Sequence, residues 1–236
     1  MNNFSIIIPV FNEEKNIVDL IDEINLSLND YYKLFEIIIV NDCSTDDTYK
    51  LLNLKTKKPN NNIKIINNEK NLGQSYSISN GIKNSNYEII VTIDGDGQND
   101  PKDILKLLKY YISHKDLFLV GGIRKKRKDK IIKILSSKLA NFVRKNILND
   151  KCDDTGCSLK VFDKSCFLKF PFFDGMHRFL PALFSGFSKK TFFISVNHRH
   201  RIHGKSNYGT FERLYKGIFD LYKVAKIIRK LKKIND

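Results

Sequence analysis

The sequence lacks the long apolar runs and the cysteine patterns that are typical of membrane-spanning, zinc-binding and disulfide-rich proteins. No apolar run approaches the roughly 18 residues that a spanning helix requires, and no basic stretch leads into an apolar one at the start. The 4 cysteines form no C-x-x-C pair and no His/Cys cluster with zinc spacing. We therefore expect a cytosolic protein with reduced thiols and no secretory signal.

Acidic side chains are also scarce, but only in one part of the chain. The 236 residues carry 26 acidic and 41 basic side chains, a net charge of +15. Residues 1–100 hold 15 acidic and 9 basic side chains, whereas residues 101–236 hold 11 and 32. Because 42% of the residues are apolar, the chain can bury a core and disorder is excluded. The second part is therefore expected to meet a polyanion: nucleic acid, a membrane surface or a phosphorylated substrate.

The first part alternates between strand and helix patterns. Strands are predicted at Phe4–Val10, Phe35–Val40, Ile63–Ile66, Glu88–Ile93 and Leu117–Gly122. Apolar residues at helical spacing follow the first strand, and Pro101 opens another helix. Continuous β-branched runs between helices are typical of a mostly parallel sheet covered on both faces. The pattern predicts a Rossmann-like, doubly wound α/β domain, in which ligands bind at the carboxyl ends of the strands.

The last segment predicts a basic amphipathic helix. It sets an apolar face opposite Arg213, Lys216, Lys223, Lys226 and Lys230. Such a helix either lies in an anionic headgroup layer or packs on the core with a solvated face, and the sequence leaves both open. A phenylalanine-rich stretch before it, from Phe167 to Phe184, fits either a lipid groove or an aromatic core. We predict one domain of residues 1–210, followed by the helix at 211–236.

The strongest local signal is the segment IIVTIDGDGQND. Asp94 and Asp96 follow a strand directly, so both carboxylates can face the same side. Two such carboxylates repel each other unless a cation lies between them or one is protonated. A divalent metal shared with a diphosphate satisfies both, with Gln98 as a further oxygen ligand. An isolated D-x-D is more often a polar turn, but its place at a strand end in a basic chain favours the metal site.

The first two strands also end in polar residues. Pro9, Phe11 and Glu13 surround the end of strand one, and Asp42 follows strand two. Asp42 could accept the ring N–H of a nucleobase, while Phe11 could contact an apolar face. Capping of the following helices explains neighbouring Ser44 and Asp46 better, whereas Asp42 and Glu13 remain open between the two roles.

Seven segments occur in a recognisable order: SIIIPVFNEE, IIIVNDCSTDDT, NLGQSYSISNG, IDGDGQNDP, GGIRKKR, DDTGCSLKVF and RIHGKSNYG. In order and approximate spacing the chain resembles the family 2 inverting glycosyltransferases of the GT-A fold. Within that family it is most similar to the dolichyl-phosphate mannose synthase branch and its bacterial polyprenyl-phosphate relatives. The resemblance extends over nearly the whole chain.

The resemblance implies roles for individual residues. It implies that the base and ribose are held by Pro9, Phe11, Glu13 and Asp42, and that Mg²⁺ or Mn²⁺ is bound by Asp94, Asp96 and Gln98 with the sugar diphosphate. It implies phosphate contacts for Arg124 and Arg201, with Lys205 nearby. Asn41 departs from the usual acidic pair before Asp42. Lys138 stands where relatives often have Arg, and lysine lacks the bidentate fork, which makes it a weaker phosphate ligand.

The acceptor decides whether the reaction needs a base. The leaving nucleoside diphosphate gains negative charge, which a metal and nearby arginines stabilise. A lipid phosphate is already ionised, whereas a sugar hydroxyl must lose a proton during the attack. Asp153 and Asp154 stand where hydroxyl-transferring relatives place their base, and with a phosphate acceptor the corresponding aspartate, taken as Asp154, would position other residues or modulate the site instead. Asp96, Asp154, Arg124 and Arg201 are therefore the candidate catalytic residues.

Together these features predict a metal-dependent inverting glycosyltransferase. It is expected to move a mannose- or glucose-type hexose from a GDP- or UDP-sugar to a polyprenyl phosphate at the cytoplasmic face of a membrane, with peripheral membrane contact. Transfer to a saccharide or protein hydroxyl is the alternative within the same fold. A nucleic-acid-binding protein would also explain the charge, but no recognised binding motif is present and no nucleic acid partner is expected.

Overall fold

A computed structural model describes residues 2–57, 62–125, 143–200 and 210–235. The strands are β1 (Phe4–Val10), β2 (Phe35–Asn41), β3 (Ile63–Asn67), β4 (Ile89–Thr92), β5 (Leu117–Arg124), β6 (Lys160–Asp163) and β7 (Lys190–Val196). The helices are α1 (Ile17–Ser27), α2 (Thr48–Thr56), α3 (Gln74–Lys83), α4 (Lys102–Ser113), α5 (143–148), α6 (Lys164–Phe167), α7 (Leu180–Gly186) and α8 (Thr210–Asn235). Short 3₁₀ turns lie at Asn29–Leu34 and Met176–Arg178.

The seven strands form one sheet in the order β3-β2-β1-β4-β6-β5-β7. β1 pairs parallel with β2 and β4, β2 with β3, and β5 with β7. β6 runs antiparallel to both of its neighbours, β4 and β5. The predicted mostly parallel α/β sheet is confirmed. β6 and β7 are not among the five predicted strands, and in β6 only Val161 and Phe162 separate the two charged end residues.

The isoleucine-rich strands bury both of their faces, as expected for a sheet that helices cover on two sides. In β1, Ile6 and Ile8 belong to the core layer that includes α1 and α4, whereas Ile7 belongs to the layer that includes α3, α7 and α8. All three side chains are 0% exposed. Burying one such side chain stabilises the fold by roughly 1.5–3 kcal/mol, so these strands fix the frame on which the loops are mounted.

The phenylalanine-rich stretch belongs mainly to the core. Five of its side chains are buried: Phe167, Phe170, Phe173, Phe179 and Phe184. They form edge-to-face and tilted ring contacts with one another and with Phe162. Phe172 differs from them, because 52% of its surface is exposed. The aromatic-core interpretation therefore holds for five of the six phenylalanines.

The C-terminal helix α8 is packed on α7 through one face. Val224 and Ile228 are 0% and 8% exposed. A Cβ atom added at Gly186 of α7 would lie 2.5 Å from Cγ1 of Ile228, so a glycine is needed where the two helices meet. Within the described residues, every helix is too short or too polar to cross a bilayer.

Candidate active site

A cleft opens at the edge of the sheet where the parallel strands end. β1, β2 and β4 run in the same direction, so the loops that follow Val10, Asn41 and Thr92 meet at this edge. The cleft has a volume of about 320 Å³ and is lined by Pro9, Val10, Phe11, Glu13, Asp42, Asn71, Gly73, Gln74, Ser77, Asp94, Gly95 and Asp96. Six predicted site residues thus share one cleft: Pro9, Phe11, Glu13, Asp42, Asp94 and Asp96.

Asp42 organises the loop on one side of the cleft. Its side chain is 4% exposed. Oδ1 accepts hydrogen bonds from Asn68 Nδ2 at 2.7 Å and from the Leu72 amide at 2.9 Å, and Oδ2 accepts one from the Gly73 amide at 2.8 Å. An ionised carboxylate can accept about four hydrogen bonds, so Asp42 can shape this loop and still accept one from a ligand.

The predicted capping role of Ser44 and Asp46 is wrong, because the N-cap of α2 is Asp47, which forms no side-chain cap hydrogen bond. Oδ1 of Asp46 accepts a hydrogen bond from the Thr48 amide at 3.0 Å, at the first residue of α2. Oγ of Ser44 accepts one from the Asn12 amide at 3.0 Å. These side chains hold the loops after β1 and β2 against each other and are absent from the lining of the cleft.

The D-x-D segment lies against the end of β1. A Cβ atom at Gly95 would come within 2.6 Å of Cγ1 of Val10, so only glycine allows this close approach. Gly97 has a φ of +71° and supports the turn that follows. The Gln98 amide donates to Oδ1 of Asp96 at 3.1 Å, and its side-chain Nε2 donates to the Arg199 carbonyl at 3.4 Å.

Gln74 is a residue of the cleft that sequence reasoning missed. Its Nε2 donates to Oδ1 of Asp94 at 2.7 Å, from the first residue of α3. The segment NLGQSYSISNG contains this glutamine, but its contact depends on where α3 begins relative to β4. Asn71 and Ser77 of the same segment also line the cleft.

The carboxylate pair fits a divalent cation. Burial first, and then the neighbouring Asp96 carboxylate, raises the pKa of Asp94 to about 7, while Lys160 and Arg124 act in the opposite direction. No group of three His, Cys, Asp or Glu side chains within the described ranges is arranged to hold a metal. An ion here would need further oxygens, from Gln98 and from a bound diphosphate, as hard divalent cations accept.

The chain after β7 returns to this edge. The Arg199 amide donates to the Gln98 carbonyl at 2.8 Å, and His198 forms an antiparallel bridge with Asn99. Arg199 pairs with Glu23 at 2.6 Å and with Asp100 at 3.0 Å. Three predicted phosphate-binding residues, Lys138, Arg201 and Lys205, lie outside the described residues.

Arg124 and Asp154 form a bidentate ion pair. β4 and β5 are both antiparallel to β6, so Arg124, at the end of β5, lies on the same edge of the sheet as the cleft. Its Nε and Nη2 donate to the two carboxylate oxygens of Asp154 at 2.7 Å each. The Arg124 amide also donates to Oδ2, at 3.2 Å. Asp154 is 5% exposed, and neither residue lines the cleft itself.

Comparison with known proteins gives one family and several relatives that are similar over nearly the whole of this chain. The model described as Glycosyl transferase family 2 matches residues 5–170. Dodecaprenyl-phosphate galacturonate synthase of Rhizobium johnstonii is 33% identical over 228 residues, which cover 95% of this chain and 67% of that protein. Undecaprenyl-phosphate 4-deoxy-4-formamido-L-arabinose transferase of Pectobacterium carotovorum is 30% identical over 221 residues, covering 94% and 67%.

A similar fold occurs among solved structures. Glucosyl-3-phosphoglycerate synthase from Mycobacterium tuberculosis, crystallised with Mn²⁺, uridine diphosphate and phosphoglyceric acid, superposes with a TM-score of 0.72 at 18% identity. The match covers 96% of this chain and 79% of that chain. At this identity the similarity concerns the arrangement of strands and helices.

Proposed function

The chain belongs to glycosyl transferase family 2, and on that basis we propose a specific reaction for it. It is a metal-dependent inverting transferase that moves a mannose- or glucose-type hexose from a nucleotide diphosphate sugar to a polyprenyl phosphate at the cytoplasmic face of a membrane. Residues 1–210 carry the catalysis. The Arg124–Asp154 ion pair is the observation that supports a phosphate acceptor most directly.

The cleft is the proposed binding site of the nucleotide sugar that donates the hexose. Its volume of about 320 Å³ is at the lower end of ordinary ligand sites, and Phe11, Glu13 and Asp42 line it together with the D-x-D segment. UDP is the first donor base to test, because the M. tuberculosis neighbour was crystallised with uridine diphosphate; GDP is the second. The sugars in the relatives' names, galacturonate and formamido-arabinose, belong in the same screen.

Asp94, Asp96 and Gln98 would hold the divalent cation, Mg²⁺ or Mn²⁺. Bound there, the ion supplies positive charge that stabilises the leaving diphosphate. The chain's own part is to hold the carboxylates in place: Gln74 donates to Asp94, and the Gln98 amide donates to Asp96. An attack in line with the leaving group, from the opposite face of the sugar, inverts the anomeric centre.

The Arg124–Asp154 ion pair supports a phosphate acceptor, which does not have to be deprotonated by a general base. Both oxygens of Asp154 accept N–H bonds from the Arg124 guanidinium, so taking up a proton from a hydroxyl would weaken this ion pair. A lipid phosphate is ionised at neutral pH and needs no such step. In this reaction Asp154 holds the Arg124 guanidinium in one orientation. A guanidinium held in this way can bind a phosphate group.

The test is transfer by the purified full chain to a short-chain polyprenyl phosphate, with UDP- and GDP-sugars and with Mg²⁺ or Mn²⁺. Asp96→Asn is expected to lower transfer on the order of 10³-fold and to remove the metal-dependent thermal stabilisation by the nucleotide. The matched control is Asp30→Asn, which makes the same change at an exposed position. Wild-type turnover by Asp96→Asn would overturn the metal site, and transfer to saccharide hydroxyls alone would overturn the acceptor.

A further inference from the structure

The outward face of α8 combines cations with exposed aromatic rings. Phe219 is 58% exposed and Tyr222 is 70% exposed. Lys223, Lys226, Arg229 and Lys230 are exposed on the same helix. Asp220 is the one acidic residue between 219 and 230, and it is 7% exposed. This stretch, the basic face of α8, therefore presents four cations and no anion to the outside.

The inner side of α8 holds the basic face in a fixed position. Asp220 pairs with Arg178 at 2.8 Å, next to the 3₁₀ turn at Met176–Arg178. Val224 and Ile228 are buried in the same core layer as Leu183 of α7. The basic face is thus the outer surface of a packed element, which can meet a partner without leaving the core.

An exposed aromatic pair joins the segment of α3 that contributes to the cleft to the segment that contacts α8. The rings of Tyr76 and Phe172 meet edge to face, with centroids 6.2 Å apart, although 39% and 52% of their surfaces are exposed. Tyr76 lies in α3 between Gln74 and Ser77, which both line the cleft. Nζ of Lys223 is 5.6 Å from the ring centroid of Phe173, the residue after Phe172. Tyr76 is thus flanked in sequence by residues of the cleft, and Phe172 is followed by a residue that contacts a lysine of the basic face.

We propose that the basic face of α8 and the Tyr76–Phe172 pair together form the surface that lies on an anionic membrane. Lysine and arginine attract anionic headgroups, and exposed rings insert at the boundary between headgroups and acyl chains. This combination distinguishes a bilayer surface from a purely ionic partner, for which exposed phenylalanine offers no gain. The assignment rests on the proposed function only in that a lipid phosphate acceptor places the enzyme at a membrane.

Vesicle binding by the full chain tests the charge contribution. The wild-type protein is expected to sediment with vesicles of equimolar phosphatidylcholine and phosphatidylglycerol, and much less with phosphatidylcholine alone. The double variant Lys226→Gln, Lys230→Gln should bind the anionic vesicles on the order of twentyfold more weakly, since each basic residue near the surface contributes about fivefold. The matched control is Lys102→Gln, Lys109→Gln, which removes two exposed charges from α4 on the other face of the sheet and should bind as the wild type does.

The aromatic contribution needs a separate variant. Phe172→Ser is expected to weaken vesicle binding several-fold even at high salt, where the ionic attraction is screened. Circular dichroism and thermal unfolding of each variant show that the fold is kept. The proposed membrane-binding surface would be contradicted by an equal loss of vesicle binding in the α4 control. Binding to DNA without binding to vesicles would also contradict it.

A soluble acceptor separates this inference from the proposed function. Transfer to a water-soluble short-chain acceptor should be unchanged in Lys226→Gln, Lys230→Gln, whereas transfer to an acceptor embedded in anionic vesicles should fall with binding. Vesicle binding without any sugar transfer would overturn the proposed function and leave the surface supported. If the Lys226→Gln, Lys230→Gln variant transfers sugar to the vesicle-embedded acceptor as fast as the wild type, the membrane-binding surface is contradicted and the proposed reaction remains supported.

Discussion

Asp42 and Asp150 are equally buried, at 4% exposure each, but they are held in different ways. Asp42, in the acidic first part of the chain, accepts hydrogen bonds from two backbone amides and one asparagine. Asp150, in the basic second part, pairs with the guanidinium of Arg144. Within the described residues, Asp42 thus accepts hydrogen bonds from neutral groups, whereas Asp150 is paired with a cation.

Other carboxylates of the described residues, buried or half-buried, follow the same division. Asp94 accepts a hydrogen bond from the neutral Gln74, whereas Asp154 and Asp220 pair with Arg124 and Arg178. Asp103 is an exception, because it accepts from the Asn197 amide. The difference agrees with the proposed function, in which the first part would offer negative charge to a cation beside the nucleoside, while the second part neutralises buried acids with arginines.

The largest expected effect comes from breaking a buried ion pair in the second part. Asp150→Asn leaves the Arg144 guanidinium, 7% exposed as a side chain, without its counter-charge. We expect a loss of about 3–5 kcal/mol in the free energy of unfolding, since one partner of a buried pair is then an uncompensated charge. Urea unfolding measures the loss.

Asp153→Asn is the matched control, because Asp153 pairs with Lys145 while its side chain is 66% exposed. An exposed pair contributes at most about 1 kcal/mol. Equal losses of unfolding free energy in the two variants would show that burial of an ion pair does not determine how much its removal destabilises the fold. The comparison between Asp42 and Asp150 would then explain nothing about stability.

A smaller loss is expected from Asp42→Asn in the first part. Asparagine keeps one oxygen but places an NH₂ group against N–H donors, so the amide of Leu72 or Gly73 loses its acceptor. One unsatisfied buried donor costs about 1–3 kcal/mol. Unfolding should show this loss, and the affinity for the nucleotide should fall with it. An unchanged stability would mean that water replaces the carboxylate, and that neutral donors do not hold this loop.

The fold of the first part could be predicted from the sequence because its signals are local. β1 and β2 are continuous β-branched runs, and their predicted bounds agree with the structure to within one residue. β6 has only four residues, and its place depends on pairing with β4 and β5, which are distant in sequence. The local sequence pattern of a strand does not specify which distant strands it pairs with.

The candidate site likewise contains some residues whose proximity could be predicted from the sequence and others whose contacts could not. Asp42, Asp94 and Asp96 directly follow strands, and parallel strands bring their ends together, so their shared cleft was predictable. The Arg124–Asp154 pair joins residues 30 positions apart, after β6 has brought that segment beside β5. The contact between Gln74 and Asp94 likewise depends on the packing of α3, which no spacing in the sequence specifies.

The smallest expected effect on catalysis comes from graded changes at Asp154, and the stability of each variant is measured alongside because the Arg124–Asp154 pair is also largely buried. Asparagine can still accept one N–H bond from Arg124 but cannot take up a proton, whereas alanine can do neither. If Asp154 positions Arg124, Asp154→Asn should lower kcat/KM about tenfold, worth about 1.4 kcal/mol, and Asp154→Ala should lower it further. If Asp154 is a general base, both variants should lose transfer equally, by about 10²–10⁴-fold. The ranking of the two variants, measured with the same polyprenyl phosphate, therefore decides whether the ion pairs of the basic part serve only to neutralise buried charge or also to aim a phosphate-binding arginine.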